Sequence, residues 1–393
     1  MVRERKRISD FATTSSGGTP SRGRLDYFQG NIRWVTTGEL RDSYIKDTNE
    51  HISQEAVANS SAKVFPENTL LMAMYGATIG RLGIITNEAA TNQACCAIFP
   101  DKTVDTKYLF YCLLYDRKNI VEKGCGAGQP NISQDIIKNI EVPYCDITEQ
   151  QAIVTALSDV DELIANLEKL IEKKKSIKQG TTQMLLTGKI RLPGFIELWK
   201  EEIFGNLCII CRGGSPRPIQ AYLTNHNDGI NWIKIGDVRP NAKYITSTQE
   251  KIIEAGASRS RRVYSGDFIL SNSMSFGRPY ILKLDGCIHD GWLAIQEYQK
   301  SFDTNFLYYM LGADYIFEQY IQMAAGSSVQ NLNKEKVSQL IVRVPSIEEQ
   351  KAIAHILSDM DSEIDNLEKK LEKYRMVKQG MMQKLLTGEI RLV

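Results

Sequence analysis

Residues Ile147–Leu192, ITEQQAIVTALSDVDELIANLEKLIEKKKSIKQGTTQMLLTGKIRL, and Ile347–Leu392, IEEQKAIAHILSDMDSEIDNLEKKLEKYRMVKQGMMQKLLTGEIRL, are one segment written twice at an offset of 200 residues, with 27 identities in 46 positions and no gap. Two copies point to an internal duplication with pseudo-twofold character, because an open solenoid usually needs at least about three repeats to close its core. Such a chain behaves like a dimer fused into one polypeptide.

In the first copy Ile153, Leu157, Val160, Ile164, Leu167 and Ile171 step by fours and threes; in the second Ile353, Leu357, Met360, Ile364, Leu367, Leu371 and Tyr374 keep that register. This is the a/d seam of a coiled coil. Glu162, Glu168, Lys169, Glu172 and Lys173, with counterparts Glu363, Glu368, Lys369, Glu372 and Lys373, suit the solvated flanks. Asp146-Ile-Thr-Glu149 and Ser346-Ile-Glu-Glu349 each offer a cap oxygen followed three residues later by a Glu that could answer the cap amide. Gly188 and Gly388 suit left-handed C-terminal caps, while Gly180 and Gly380 either break each helix or cost about 1 kcal/mol inside it. A helix ending at Gln179 is about 45 Å long and one reaching Thr187 about 60 Å. Helices of this length need a partner face, and the simplest partner is the other copy, running antiparallel.

The segments before the helices, 1–146 and 193–346, share landmarks in one order. Gly17-Gly-Thr-Pro20 matches Gly213-Gly-Ser-Pro216, Asn31-Ile-Arg-Trp34 matches Gly229-Ile-Asn-Trp232, and Gly38-Glu39 matches Gly236-Asp237. Thr78-Ile-Gly80-Arg81 matches Ser275-Phe-Gly277-Arg278, Asp105-Thr-Lys-Tyr108 matches Asp303-Thr-Asn-Phe306, and Gly126–Ile132 matches Gly326–Leu332. Strands are expected at Asn31–Val35, Asn68–Met74, Ala94–Phe99, Phe268–Leu270 and Tyr280–Leu284, and helices at Asp105–Leu114 and Thr304–Tyr320. The class is α+β: two β-rich domains, 1–146 and 193–346, alternating with helical regions 147–192 and 347–393. Residues 192–200 read as the linker between the halves.

Composition is that of a folded protein, 42% apolar and 24% charged, over a length sufficient for two or three domains. No run of about 18 uncharged apolar residues is present and the start MVRERKRISD has no apolar signal core, so the expected location is the cytosol. The eight cysteines are scattered, and adjacent Cys95 and Cys96 read as free buried thiols. Cys208-Ile-Ile-Cys211 is the single CxxC, with no second pair to complete a zinc tetrahedron. Gly76-Ala-Thr-Ile-Gly80-Arg81 lacks the Lys and spacing of a phosphate loop, and His51, His226, His289 and His355 are dispersed, His355 on a helix surface. These patterns argue against catalysis or a metal site in this chain. Net charge is +1, from 48 basic and 47 acidic residues, so bulk charge does not attract nucleic acid; local patches or partner subunits would have to.

The twice-written EQxxI…LSDxD helix, the LLTGxIRL ending, the GQxNI approach at Gly128–Ile132 with its counterpart GSSVQNLN, and the GG[TS]P and GR landmarks together resemble the specificity subunit of type I restriction-modification systems over the whole chain. The resemblance implies two target recognition domains, each reading one half of a bipartite double-stranded DNA sequence, on an antiparallel coiled coil that fixes the spacing. It also implies docking to two adenine-methylating modification subunits, which hold S-adenosylmethionine, and to restriction subunits that use ATP and Mg; no cofactor is expected here. A rod of 45–60 Å would span roughly 13–18 base pairs at about 3.4 Å each. Arg259, Arg261 and Arg262 form the densest basic cluster in the second domain, with Arg22, Arg24, Lys63 and Arg81 as scattered phosphate candidates in the first. Base contacts are expected from loop residues Ser21, Arg22, Thr36, Thr37, Thr78 and Arg81, and from Arg217, Lys234, Asn272, Ser273 and Arg278. Arg81 and Arg278 recur at equivalent positions in domains that should read different bases, which favours phosphate or structural work for both. The competing reading is a structural adaptor whose coiled coil spaces two protein-binding domains. Divergent loops between matched domains disfavour it, since an adaptor for two copies of one partner would keep both surfaces alike.

Overall fold

A computed structural model describes residues 3–124, 131–238, 242–272, 277–324 and 332–392. The chain forms two compact units, Met1–Glu168 with Lys369–Val393, and Lys169–Glu368. These units are not the two sequence repeats. Each holds one β-rich domain, half of its own long helix and half of the other, because each helix half finds its apolar partner on the other copy.

In the first unit a five-stranded sheet runs Ala12–Ser16, Cys95–Pro100, Leu70–Ala73, Leu82–Ile85, Ser43–Ile45, beside a four-stranded sheet of Glu50–Ile52, Ile32–Val35, Ala89–Thr91 and Val64–Phe65. The central strands are apolar on both faces, as period-two alternation requires of a buried sheet. Leu70, Met72, Cys96 and Ile98 face the core that also receives Ile153 and Leu157, while Leu71, Ala73, Cys95 and Ala97 face the other sheet. Neighbouring Cys95 and Cys96 therefore contribute to opposite cores as free thiols, and burial pushes both up to about 12.

The second unit repeats this order: Ile209–Arg212, Trp292–Gln296, Phe268–Ser271, Pro279–Leu282, Tyr244–Ile245, beside Glu250–Ile252, Ile230–Ile233, Gly286–Ile288 and Arg261–Val263, with Leu223–Thr224 added at an edge. The five expected strands and the helix at Thr106–Tyr115, capped by Asp105, are present. The expected helix Thr304–Tyr320 is instead two, Thr304–Leu311 and Asp314–Ala324. Gly312 ends the first, its N–H returning to Tyr308, and Ala313 O accepts the first amides of the second.

The long helices run Ile147–Leu186 and Ile347–Thr387, each about 60 Å, and pass through Gly180 and Gly380 without a break. Nothing lies within 4 Å of a Cβ built on either glycine. Gly180→Ala and Gly380→Ala should each stabilise by about 1 kcal/mol, read as a higher denaturant midpoint; a lower midpoint would show that the helix needs its glycine. The seam residues Ile153, Leu157, Val160, Leu167, Ile171, Ile353, Leu357, Ile364 and Leu371 are buried, and Ile164, Met360 and Leu367 half-buried. Pairing is antiparallel within each unit: Lys378 with Asp161 at 2.6 Å and Arg375 with Glu168 at 2.7 Å in the first, Lys178 with Asp361 and Lys174 with Glu363 at 2.7 Å in the second.

The helix starts depart from the expected capping boxes. Asp146 and Ser346 do accept from the amides of Glu149 and Glu349. The Glu side chains, however, bind arginines. Glu149, with a fully buried side chain, takes N–H bonds from Arg3 at 2.8 Å and from Arg391 at 2.8 and 2.7 Å. Glu349 takes them from Arg191 at 2.6 and 2.8 Å and from the Trp199 indole at 2.9 Å. A buried carboxylate is held more strongly by a bidentate guanidinium, Arg391 on Glu149 and Arg191 on Glu349, with a further N–H donor beside it, than by a helix amide that water can reach. Each IRL tail thus docks on the helix start of the other copy. The following glutamines complete the motif: buried Gln150 accepts from Asp105 N and donates to Thr103 O and Cys145 O, and Gln350 does the same with Asp303, Ser301 and Pro345. In the 192–200 linker Ile196 and Leu198 are exposed, while Leu192 and Trp199 pack against the second unit's core.

Candidate nucleic-acid interface

Short backbone bonds gather the loops at one edge of each domain's sheets. In the first domain Gly18 N donates to Thr91 O at 2.9 Å, Asn92 N to Val35 O at 3.0 Å, Met74 N to Ala94 O at 2.9 Å and Ile132 N to Met74 O at 2.7 Å. The second domain repeats the frame with Gly214 N to Ile288 O, His289 N to Ile233 O, Asn272 N to Gly291 O and Leu332 N to Asn272 O, all within 3.1 Å. Loops 17–24, 35–39, 74–81 and 91–94, and the described residues of their counterparts, are therefore one cluster in each domain on a rigid scaffold, where recognition usually resides.

Several landmarks that the halves share build this frame. A Cβ on Gly17 would stand 2.1 Å from Thr91 O and one on Gly213 2.1 Å from His289 O, so the first landmark glycine is a close backbone approach. Glu39 ties the next loop by accepting from Thr36 N and Asn49 N at 2.7 Å each; Asp237 does so from Lys234 N at 2.8 Å and Gln249 N at 3.2 Å. Gly80 and Gly277 both have φ of 74°.

The sequence-predicted residues divide by what they touch. Arg22 is exposed, paired with Glu50 at 2.5 and 2.9 Å and set against the Phe28 and Trp34 rings. Arg24 pairs with Asp26 at 2.6 Å and Glu55 at 3.1 Å, Lys234 with Glu250 at 2.7 Å, and Arg262 with Glu254. Their charges are partly neutralised within the domain. Arg259 donates to the Tyr222 hydroxyl at 2.6 Å, Lys63 to Ser15 at 3.2 Å, and Arg217 lies 3.6 Å from Asp290. Asp290 is held below the usual carboxylate range: burial opposes this, and the Ser215 hydroxyl with the His289 and Arg217 charges outweighs it. Ser21, Arg81 and Arg261 are exposed, and no ion pair engages Arg81 or Arg261 among the described residues. Thr36, Thr37 and Thr78 are half-buried on the loop cluster, as is Arg278, over Tyr280. Ser273 lies outside the described residues.

Asn272 does not present its amide to a ligand. It is buried at 4% exposure and donates to Asp290 O at 2.9 Å. The backbone frame aligns it with buried Met74, which makes the equivalent bonds with Ala94 and Ile132, whereas stepping back from the Thr78 and Ser275 landmark would pair it with Tyr75. The same loops bring in residues that were not among the expected contacts: Tyr75, Gln93 and Asn131 in the first domain, Ser215 and His289 in the second, of which Asn131 and Ser215 lie within shared landmarks. They lack a basic neighbour to mark them, and they become visible only when the strands place their loops together.

The model of the type I restriction modification DNA specificity domain matches this chain twice, over residues 3–179 and 197–373. The chain is 25% identical over 98% of its length to the type I restriction enzyme MjaVIII specificity subunit of Methanocaldococcus jannaschii, covering 92% of that protein. Its fold is similar to the type I restriction-modification S subunit from M. genitalium, with a TM-score of 0.59 at 17% identity over 98% of this chain and 96% of that one. It is also similar to a chain solved in work on complex assembly and conformational transition of the type I R-M system, with a TM-score of 0.63 at 15% identity over 99% and 98%. With two such domains along its length, the chain belongs to the type I restriction-modification DNA specificity family and is a specificity subunit rather than a catalytic one. No helix among the described residues is long and apolar enough to cross a membrane.

Proposed function

We propose that residues 1–146 and 193–346 each read one half of a bipartite double-stranded DNA sequence, while helical regions 147–192 and 347–393 set the spacing and dock two modification subunits in the cytosol. Methyl transfer to adenine, with S-adenosylmethionine, belongs to those partners, and restriction subunits supply ATP- and Mg-dependent cleavage. One observation carries this reading: the two domains keep the same backbone frame and change the side chains that it presents. Thr36 and Thr37 stand where the second domain has Lys234 and Ile235, and Ser21 where it has Arg217. A spacer for two identical protein ligands would keep these alike. Two weak readers on one frame gain avidity when both half-sites fall at the right separation.

Arg81 and Arg278 are assigned to phosphate, since they recur where base specificity should differ; Arg22, Thr36, Thr37, Thr78, Ser21, Arg217, Lys234, Arg259, Arg261, Arg262 and Ser273 remain candidate DNA contacts. Arg81→Ala should weaken binding to all sequences alike and reduce the slope of log affinity against log salt by about 1. A change of sequence preference with an unaltered slope would make Arg81 a base reader. The reading as a whole is tested by methylome sequencing of cells with and without this gene. A split adenine motif that depends on the gene is expected, and its absence would defeat the assignment.

A further inference from the structure

We propose that Asp161 with Tyr111 and Lys378, and Asp361 with Tyr309 and Lys178, are positioning residues that hold each recognition domain in one attitude on the helix pair and so narrow the spacer lengths accepted. The inference rests on the bipartite reading above. Each cluster joins three elements. Tyr111, from the domain helix Thr106–Tyr115, donates to Asp161 of the first long helix at 2.7 Å, and Asp161 pairs with Lys378 of the second at 2.6 Å. In the other unit Tyr309 donates to Asp361 at 2.6 Å, and Asp361 pairs with Lys178. Each lysine also lies over its tyrosine ring, at 5.7 and 5.8 Å. Burial first, and the carboxylate next to it, raise both phenols, so each hydroxyl remains a donor over the ordinary pH range.

Lys178 and Lys378 continue the a/d series from Ile171 and Leu371, where apolar residues would bind the seam more strongly. A polar seam position lowers stability in exchange for register, and compared with a slip of one heptad either way the observed register is the one that pairs both lysines with both aspartates. A slip of one heptad, about 10 Å, would in one direction set Asp161 and Asp361 against Leu385 and Leu185, leaving both aspartates unpaired while Lys178 and Lys378 met Glu368 and Glu168. In the other it would set Lys178 and Lys378 against Ala354 and Val154. Beside Asp361, Lys243 donates to Asn305 at 2.8 Å and lies 5.1 Å over the Tyr309 ring; the equivalent residues in the first domain are Ser43 and Lys107, and Lys107 lies 5.0 Å over Tyr44. Lys107 is on a helix and Lys243 just precedes the strand Tyr244–Ile245, and each lies over the equivalent tyrosine, Tyr44 at 5.0 Å and Tyr244 at 5.5 Å.

The test uses the subunit assembled with its modification partner and DNA carrying both half-sites at the native spacer and at one and two base pairs either side. Tyr111→Phe with Tyr309→Phe keeps both rings and removes the bond to each carboxylate; Lys178→Met with Lys378→Met removes the seam charges. The Phe pair should lower the preference for the native spacer over its neighbours by about tenfold, with discrimination between half-site bases unchanged. The Met pair should do the same, and if it fails to assemble, the Phe pair decides. An unaltered spacer profile in the Phe pair overturns the proposal, as does a parallel loss of half-site discrimination, which marks general loosening. If the wild-type complex itself ignores one half-site, the bipartite reading fails and not the positioning role.

Discussion

Replacing Glu149 with alanine is expected to lower folding stability by about 3–5 kcal/mol, because it strands the Arg3 guanidinium, whose side chain is 4% exposed, without its counter-ion. Arg3 Nε and Nη2 would retain bonds to Leu385 O, and these leave the charge uncompensated. Arg391 is 57% exposed, so its own bond to Glu149 is screened and contributes less. The carboxylate also carries a pH signature. Burial pushes the Glu149 value up, but the Arg3 and Arg391 bonds outweigh it and hold it below the ordinary 4.5. Its contribution is therefore present above about pH 4.5 and is lost as pH falls through the lowered folded value. Denaturant titration of wild type and Glu149→Ala from pH 7 to pH 3 should show the difference shrink in that window, and a constant difference would mean that packing rather than charge is lost.

Deleting residues 164–170 and 364–370 together is expected to abolish recognition at the native spacer. The excision removes one heptad from each helix, about 10 Å, and leaves the seam register and the pairs Asp161–Lys378 and Asp361–Lys178 intact. The pairs then stand one heptad closer along each helix, which corresponds to roughly three base pairs of DNA. Methylation at the native spacing should fall by about a hundredfold or more, as avidity is lost when both readers cannot engage at once. Unchanged activity there would refute the helices as the spacing element.

The helices, their seam and their antiparallel pairing were legible because the chain carries its own alignment: a residue kept twice over 200 positions is marked without any homologue. The same device located the recognition frame, although it could not tell that Gly17 and Gly213 are close backbone contacts or that Glu39 and Asp237 tie loops. Glu149 was legible as important and misread in role, since its partners Arg3 and Arg391 are near it only after folding. Continuity through Gly180 depends on packing along the whole helix, which outweighs a local propensity of about 1 kcal/mol. Asn272 shows the limit for site residues. A polar loop residue and a polar residue bonded inside a domain look alike in sequence, and the pairing of side chain to base depends on docking geometry that neither repeat nor spacing encodes.

The central claim, that the repeated helices set the frame and the divergent domains carry the sequence, is tested most directly by replacing residues 1–146 with the corresponding domain of a relative and mapping the methylated motif of the resulting complex. One half of the motif should change while the other half and the spacer stay as they were. A motif altered in both halves, or in its spacing, would contradict the assignment of one domain to one half-site.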